Sequence, residues 1–355
     1  MTSKRSLGID ALRGLAALAV VFHHSYAPQI GVFFYEAFLS FFRRYGMLGV
    51  DLFFVLSGFC IHGAYWDKEG KFSTPKYLAR RWWRIYPPYF FALGFAVLLN
   101  LGTNYYKWKT GGQITFENFG SFQILSHLFL VNNLSQKTML TVSGPFWTIA
   151  TEAQYYLLYL ILRPLFYSPK GWGILWGTAL TLYFFTWSFI AVNNGIELLN
   201  PFCFWVEWVA GAFLVTLLKN ERVSLGIKRA SPFLAFFAFA TAGWLMGKPE
   251  LPFEISRLLF TAAFSFLIIF FLGQEALWQK SAFRWLPGVG IFSYSIYLIH
   301  FLFLDRVRIF LVPVLPEGWP RMAVSVGSIG IVLALAYLFF IFFEKPFLDK
   351  AAAIR

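Results

Sequence analysis

Apolar residues in this chain come in runs of about twenty, the length at which an α-helix crosses a hydrocarbon layer. Ten such runs can be drawn. They are approximately Leu7–Tyr26, Leu48–Trp66, Ile85–Leu101, Phe146–Phe166, Trp172–Val192, Phe202–Leu218, Pro232–Met246, Ile255–Leu272, Val289–Phe310 and Met322–Phe343. The seventh is short, and the third could continue differently through the polar stretch Thr103–Gly112. The pattern predicts an all-α protein, a polytopic membrane bundle of about ten transmembrane helices.

Composition points the same way. The chain is 58% hydrophobic and 21% aromatic but only 13% charged, with a mean hydropathy of +0.61. That is more apolar surface than a soluble domain of 355 residues needs to bury. The runs also follow one another too closely for two soluble domains, so 1–355 reads as a single transmembrane domain with no appended soluble domain. Cys60 and Cys203 both fall inside runs and read as packing residues rather than a disulfide or metal pair. The opening Met-Thr-Ser-Lys-Arg could begin a signal peptide, but Asp10 and Arg13 interrupt the apolar run and no small-x-small cleavage site follows. No internal repeat, Walker loop or metal-spaced cluster is visible.

Charge placement gives the orientation. With the N-terminus inside, nineteen of the thirty Lys and Arg residues fall on inside segments, among them Lys4, Arg5, Lys68, Lys71 and Arg355. Nine fall outside, and Arg13 and Arg257 lie within spans. The asymmetry follows the positive-inside rule and places both termini in the cytoplasm. It accounts for much of the +13 net charge without nucleic acid, to which nothing else in the chain points.

Against this apolar background a few polar residues stand out. Arg13 and His24 are eleven residues apart in the first run, about three helical turns, and so share a face. Asp10 lies close to the same stripe, whereas His23 points away from it. Ionisable groups at such depth are costly in lipid and read as lining a site. Asp51 opens the second run, where it could orient the His24 imidazole or cap a helix at the interface. Tyr77-Leu78-Ala79-Arg80-Arg81-Trp82-Trp83-Arg84-Ile85-Tyr86 precedes the third run. Helical spacing clusters Arg80, Arg81 and Arg84, with aromatic faces between them. This is either a phosphate and adenine site or a juxtamembrane belt on lipid headgroups. Glu152 lies about 12 Å into the fourth run, counted from Gly144, and must be protonated, paired or facing water. His300 lies midway along the ninth, and alone it reads as a hydrogen-bonded core histidine. The long outside loop Gly102–Pro145 carries Asn, Gln, Gly and aromatics, which suits contact with a sugar-like partner or simple solvation.

Taken together, these motifs resemble the acyltransferase-3 family of integral membrane acyltransferases over nearly the whole chain. The resemblance rests on Asp10-Ala11-Leu12-Arg13-Gly14 with His24, on Val50–Phe59, and on Arg80-Arg81-x-x-Arg84-Ile85-Tyr86-Pro87. It rests further on Trp147-Thr148-x-x-x-Glu152-x-Gln154-x-Tyr156, on Ser293-Tyr294-Ser295-x-Tyr297-Leu298-x-His300 and on Glu344-Lys345-Pro346. Ala153 departs from the Glu-Glu-Gln often found in the fourth span. The resemblance implies a multi-pass protein of the bacterial inner membrane, with no permanently bound cofactor. It would transfer an acyl group, usually acetyl from acetyl-CoA, to a hydroxyl of a cell-envelope polysaccharide, glycan or lipid-linked sugar. On that expectation Arg80, Arg81, Arg84 and Tyr86 bind the acyl-CoA. His24, Arg13, Glu152 and Asp10 form the catalytic group, and Asp51 and His300 support it or face the acceptor. A secondary transporter would show matching halves or broken helices, and a non-catalytic scaffold would not need these ionisable groups within spans.

Overall fold

The structure, a computed structural model, describes residues 6–25, 33–66, 72–111, 120–193, 201–248 and 253–354. Tyr26, Gly112 and the basic residues Lys4, Arg5, Lys68, Lys71 and Arg355, used above, lie outside the described residues. Among those described there is no strand. The helices are α1 (Leu7–His24), α2 (Phe33–Tyr45), α3 (Leu48–Tyr65), α4 (Thr74–Lys109), α5 (Ser121–Leu128), α6 (Gln136–Met139), α7 (Trp147–Leu162) and α8 (Pro169–Asn193). They continue with α9 (Trp205–Lys219), α10 (Glu221–Met246), α11 (Phe253–Gly273), α12 (Glu275–Gln279), α13 (Trp285–Ile291), α14 (Ser293–Arg306), α15 (Trp319–Phe339) and α16 (Lys345–Ala353).

Each of the ten apolar runs falls on helix. Among the described residues, five stretches are by themselves long and apolar enough to cross a membrane: α1, α3, α4, residues 254–273 and residues 319–353. The ninth run is not one helix. It breaks at Phe292, between α13, which carries Pro287, Gly288 and Gly290, and α14. Short π-helical turns at Val307–Leu311 and Phe340–Glu344 lie directly before Pro313 and Pro346. A proline ring crowds the carbonyl four residues earlier, and a wider turn gives it room.

The helices form two compact units. One comprises residues 1–18, 47–72 and 158–293, the other residues 19–46, 73–157 and 294–355. In the first, α3 and α9 cross with their backbones nearly touching. A Cβ on Gly58 would lie 2.0 Å from the Trp208 carbonyl oxygen, and one on Gly211 1.9 Å from that of Val55. Toward the starts of these two helices, Asp51 of α3 and Glu207 of α9 both face Arg257 of α11. Asp51 accepts directly from the guanidinium, and a Glu207 oxygen lies 3.7 Å away. The Phe204 ring covers Arg257 at 4.4 Å. At the start of α1, the Glu275 carboxylate accepts from the Leu7 and Gly8 amides at 3.1 and 3.2 Å, answering donors that helix geometry leaves open.

The second unit is built along α4, whose 36 residues span about 54 Å. Down its side run residues 120–145 of the segment read above as an outside loop. Tyr86 donates to the Leu128 carbonyl at 3.0 Å, Tyr89 to that of His127 at 3.1 Å and Asn100 to that of Val142 at 2.9 Å. These three anchors cover about 21 Å of the α4 axis, so the segment descends into the bundle instead of lying over its end. Hydropathy could not show this, because several polar residues of the segment find their partners inside the bundle. Thr138 donates to the Asn132 carbonyl and Thr141 to that of Thr138. Asn133 bonds Thr151 and Gln154 of α7.

The α3–α9 crossing gives a direct test. Gly211→Ala or Gly58→Ala places a methyl group against backbone that cannot yield, and overpacking of this kind costs about 1–3 kcal/mol or more. Either variant should lower the thermal midpoint in detergent, whereas Gly177→Ala, in open space on α8, should leave it unchanged.

Candidate active site

In the second unit, polar side chains from α1, α4, α7 and α14 form a column. One end is basic. Arg80, Arg81 and Arg84 are half-buried on α4. The Arg80 guanidinium donates to the Ile354 carbonyl, 2.7 Å from Nε. Arg81 lies over the Tyr156 ring of α7 at 5.5 Å and over Tyr77 at 6.0 Å. The Tyr77 hydroxyl reaches the Tyr156 carbonyl at 2.9 Å. Arg84 is also within electrostatic reach of Tyr156. Trp82 stacks on Tyr86 at 4.1 Å, so one aromatic face beside the cluster is already covered. Pro87 and Pro88 follow at once. With no N–H they cannot donate to the carbonyls of Trp83 and Arg84 four residues earlier.

Toward the middle, Tyr156 donates to Glu152 at 2.6 Å. Glu152 is half-buried and lies within reach of Tyr294 and Tyr297 on α14. Tyr294 donates to the Ile85 carbonyl at 3.0 Å, tying α14 to α4 beside the proline pair. The Thr148 hydroxyl donates to that of Tyr297 at 2.7 Å. One turn beyond lies His300, fully buried, and against it His24 with ring centroids 5.1 Å apart.

The two histidines are held alike. Nδ1 of His24 bonds the Val20 carbonyl at 2.9 Å. Nδ1 of His300 bonds the carbonyls of Ile296 and Tyr297 at 3.0 and 2.9 Å. A carbonyl only accepts, so each neutral ring carries its proton on Nδ1 and its lone pair on Nε2. That is the tautomer a general base needs. His23 turns away, its Nδ1 bonded to the Phe42 carbonyl of α2 at 3.3 Å, as the helical register predicts.

What holds α14 here is a carboxylate from another helix. Glu344 is buried where α15 gives way to α16, and it accepts from both the backbone amide and the hydroxyl of Ser295. It thus serves a first-turn donor of a helix that starts inside the bundle. Two motifs 49 residues apart are joined by this contact.

Asp10, Arg13 and Asp51 lie in the first unit. Arg13 is paired with Asp10 at 3.8 Å and its Nη2 lies 3.5 Å from Cys60 Sγ. Asp51 is bonded to Arg257, a partner the sequence reading did not supply. Glu207 escaped that reading, and Arg257 was noted only as lying within a span. A carboxylate and a guanidinium in apolar runs were the available signal. Tyr156, Tyr294, Tyr297 and Glu344 stood in the quoted motifs without roles. Among the described residues, no group of three or more His, Cys, Asp or Glu side chains is arranged to hold a metal ion.

Several helices long and apolar enough to cross a bilayer, with ionisable side chains buried in the fold, are the features of a helical membrane protein. The chain belongs to the acyltransferase domain family, acyltransferase-3, whose pattern it matches over residues 6–341. Peptidoglycan O-acetyltransferase OatA of Listeria monocytogenes is 24% identical over 365 residues, which cover 95% of this chain and 55% of that protein. Protein 2 in the picA locus of Rhizobium radiobacter is 37% identical over 92 residues, 25% of this chain and 43% of that protein. The chain thus spans about half the length of the curated relatives it matches. No solved structure matches.

Two buried polar contacts can be tested by substitution. Glu344→Ala leaves the Ser295 donors without an acceptor and should destabilise by about 1–3 kcal/mol, whereas Glu344→Gln, which keeps one oxygen, should cost less. Arg257→Met leaves Asp51 and Glu207 facing each other and should cost roughly 3–5 kcal/mol. Thermal midpoints in detergent measure both effects. Equal midpoints for the two Glu344 variants would show that Ser295 does not depend on this carboxylate.

Proposed function

We propose that this protein is a membrane-embedded O-acyltransferase. It takes an acyl group, acetyl in the simplest case, from acyl-CoA on the cytoplasmic side and transfers it to a hydroxyl of a cell-envelope glycan. The OatA relative suggests peptidoglycan as that acceptor. The observation that carries this reading is the column itself, three guanidiniums at one end and a base-ready imidazole pair at the other.

The donor's phosphates pair with Arg80, Arg81 and Arg84, and binding requires Arg80 to exchange the Ile354 carbonyl for phosphate oxygens. Tyr86 flanks the cluster with its ring. The pantetheine arm follows Tyr156 and Glu152 and brings the thioester to His24. His24 Nε2 takes the proton of the acceptor hydroxyl as its oxygen attacks the acyl carbon. The tetrahedral intermediate then expels the CoA thiolate, which receives the proton back from the imidazolium. His300 packs against His24 and fixes its position. Glu152 holds Tyr156 in line, while within the first unit Arg13 pairs with Asp10 and Asp51 acts through Arg257 on the packing of α3.

Internal contacts support the ten-span reading. Asp51, Glu207 and Arg257 all lie in the first turns of their helices and meet, as they must if the second, sixth and eighth spans enter from one side. Arg80 before the third span meets Ile354 after the tenth, two positions that reading puts in the cytoplasm. With both termini there, the protein would sit in a bacterial inner membrane.

Purified protein with labelled acetyl-CoA and a glycan acceptor tests the assignment. His24→Ala should abolish transfer, a loss of about 10²–10⁴-fold for a positioned base, while CoA binding by calorimetry persists. His23→Ala should keep most activity. The Arg80→Ala/Arg84→Ala double variant should lose CoA affinity, with Lys at these positions restoring only part of it. Unchanged affinity would make the cluster a lipid-facing belt.

A further inference from the structure

The segment that descends along α4 holds a group the mechanism above does not use. Non-helical backbone at membrane depth persists only where protein buries it or where it lines a passage. Two residues in the left-handed region bracket its lower half, Leu130 at φ 55° and Val142 at φ 60°. Neither is glycine, and for β-branched Val142 that conformation is strained. Between them, Asn132 is fully buried, yet neither its Oδ1 nor its Nδ2 makes a hydrogen bond. Its neighbour Asn133 shows the contrast, with both side-chain atoms bonded to Gln154 and Nδ2 also to Thr151.

The surroundings fix what Asn132 can take. Charge is scarce. Among residues 128–141 Lys137 is the one charged side chain, and it is exposed. The group to be bound is therefore neutral. Tyr86, two residues beyond Arg84 on α4, holds the Leu128 carbonyl four residues before Asn132, so Asn132 lies toward the guanidinium end of α4. An asparagine amide offers one donating and one accepting edge, and its natural complement is another amide.

We infer that the segment Leu128–Thr141 is a sleeve for the pantetheine arm of the donor, and that Asn132 pairs with one of its secondary amides. This rests on the proposed acyl-CoA donor. Arg80 and Arg84 would hold the nucleotide end while Asn132 reads the arm, so the two ends of CoA are recognised by separable residues.

Calorimetry on the full-length protein in detergent separates them, with CoA and adenosine 3′,5′-bisphosphate, which lacks the arm, as probes. Asn132→Ala should weaken CoA binding about tenfold, a typical cost for one buried hydrogen-bonding partner, and leave bisphosphate binding unchanged. Asn132→Asp, which keeps the shape but not the N–H donors, should resemble it. Arg80→Ala/Arg84→Ala should weaken both probes. Should Asn132 variants fail to fold, the unmodified protein still decides, because a CoA analogue with an ester in place of each amide N–H should bind about tenfold more weakly than CoA. Equal binding of CoA and the ester analogue overturns the inference. So does an Asn132→Ala protein with unchanged CoA affinity; a raised KM for the glycan would then assign Asn132 to the acceptor. If the unmodified protein binds neither probe, the acyl-CoA reading itself fails and takes the sleeve with it.

Discussion

A helix that begins inside a membrane bundle has amide protons that neither water nor lipid can satisfy, and the Glu344 carboxylate on Ser295 answers that need for α14. Much else follows from it. The three α14 residues that face the column, Tyr294, Tyr297 and His300, are spaced three apart along a helix whose height and rotation this cap helps to set. Tyr294 reaches the Ile85 carbonyl, Tyr297 meets Thr148 of α7 and His300 meets His24 of α1. One carboxylate near the end of the chain therefore supports an arrangement drawn from three other helices.

The first unit meets the same demand differently. Asp51, Arg257 and Glu207 place two carboxylates against one guanidinium among aromatic rings, beside the tight α3–α9 crossing. Burying such charges is unfavourable unless they find one another, so the cluster constrains the register of α3, α9 and α11 more than it adds to stability. Hydrocarbon surroundings leave few ways to keep a charged side chain. It pairs, or it faces a site.

Sequence alone located the helices well, because lipid imposes a length and a composition that runs of apolar residues report directly. The register of α1 was also legible, and His23 does turn to α2 while His24 meets His300. Partners across the fold were not. Nothing in the Asp51 neighbourhood names Arg257, 206 residues away, and Glu344 beside Lys345 and Pro346 looks like the end of a span rather than a cap for another helix. The segment after α5 misled for a related reason. A polar stretch that packs within the bundle has the same hydropathy as one that meets water, and only its bonds to Tyr86, Tyr89 and Asn100 tell the two apart.

The bond from Arg80 to the Ile354 carbonyl bears on how the protein is made. The partners are 274 residues apart, and Lys350 of α16 packs over Trp83 in the same region. At ribosomal rates of about 5–20 residues per second, roughly 15–55 s pass between the emergence of one side and the other. Throughout that interval the guanidiniums stand at the start of α4 without the carbonyl that later holds Arg80. The basic end is thus the last part of the column to be assembled, and a chain still on the ribosome carries its histidines before it carries a finished cationic mouth.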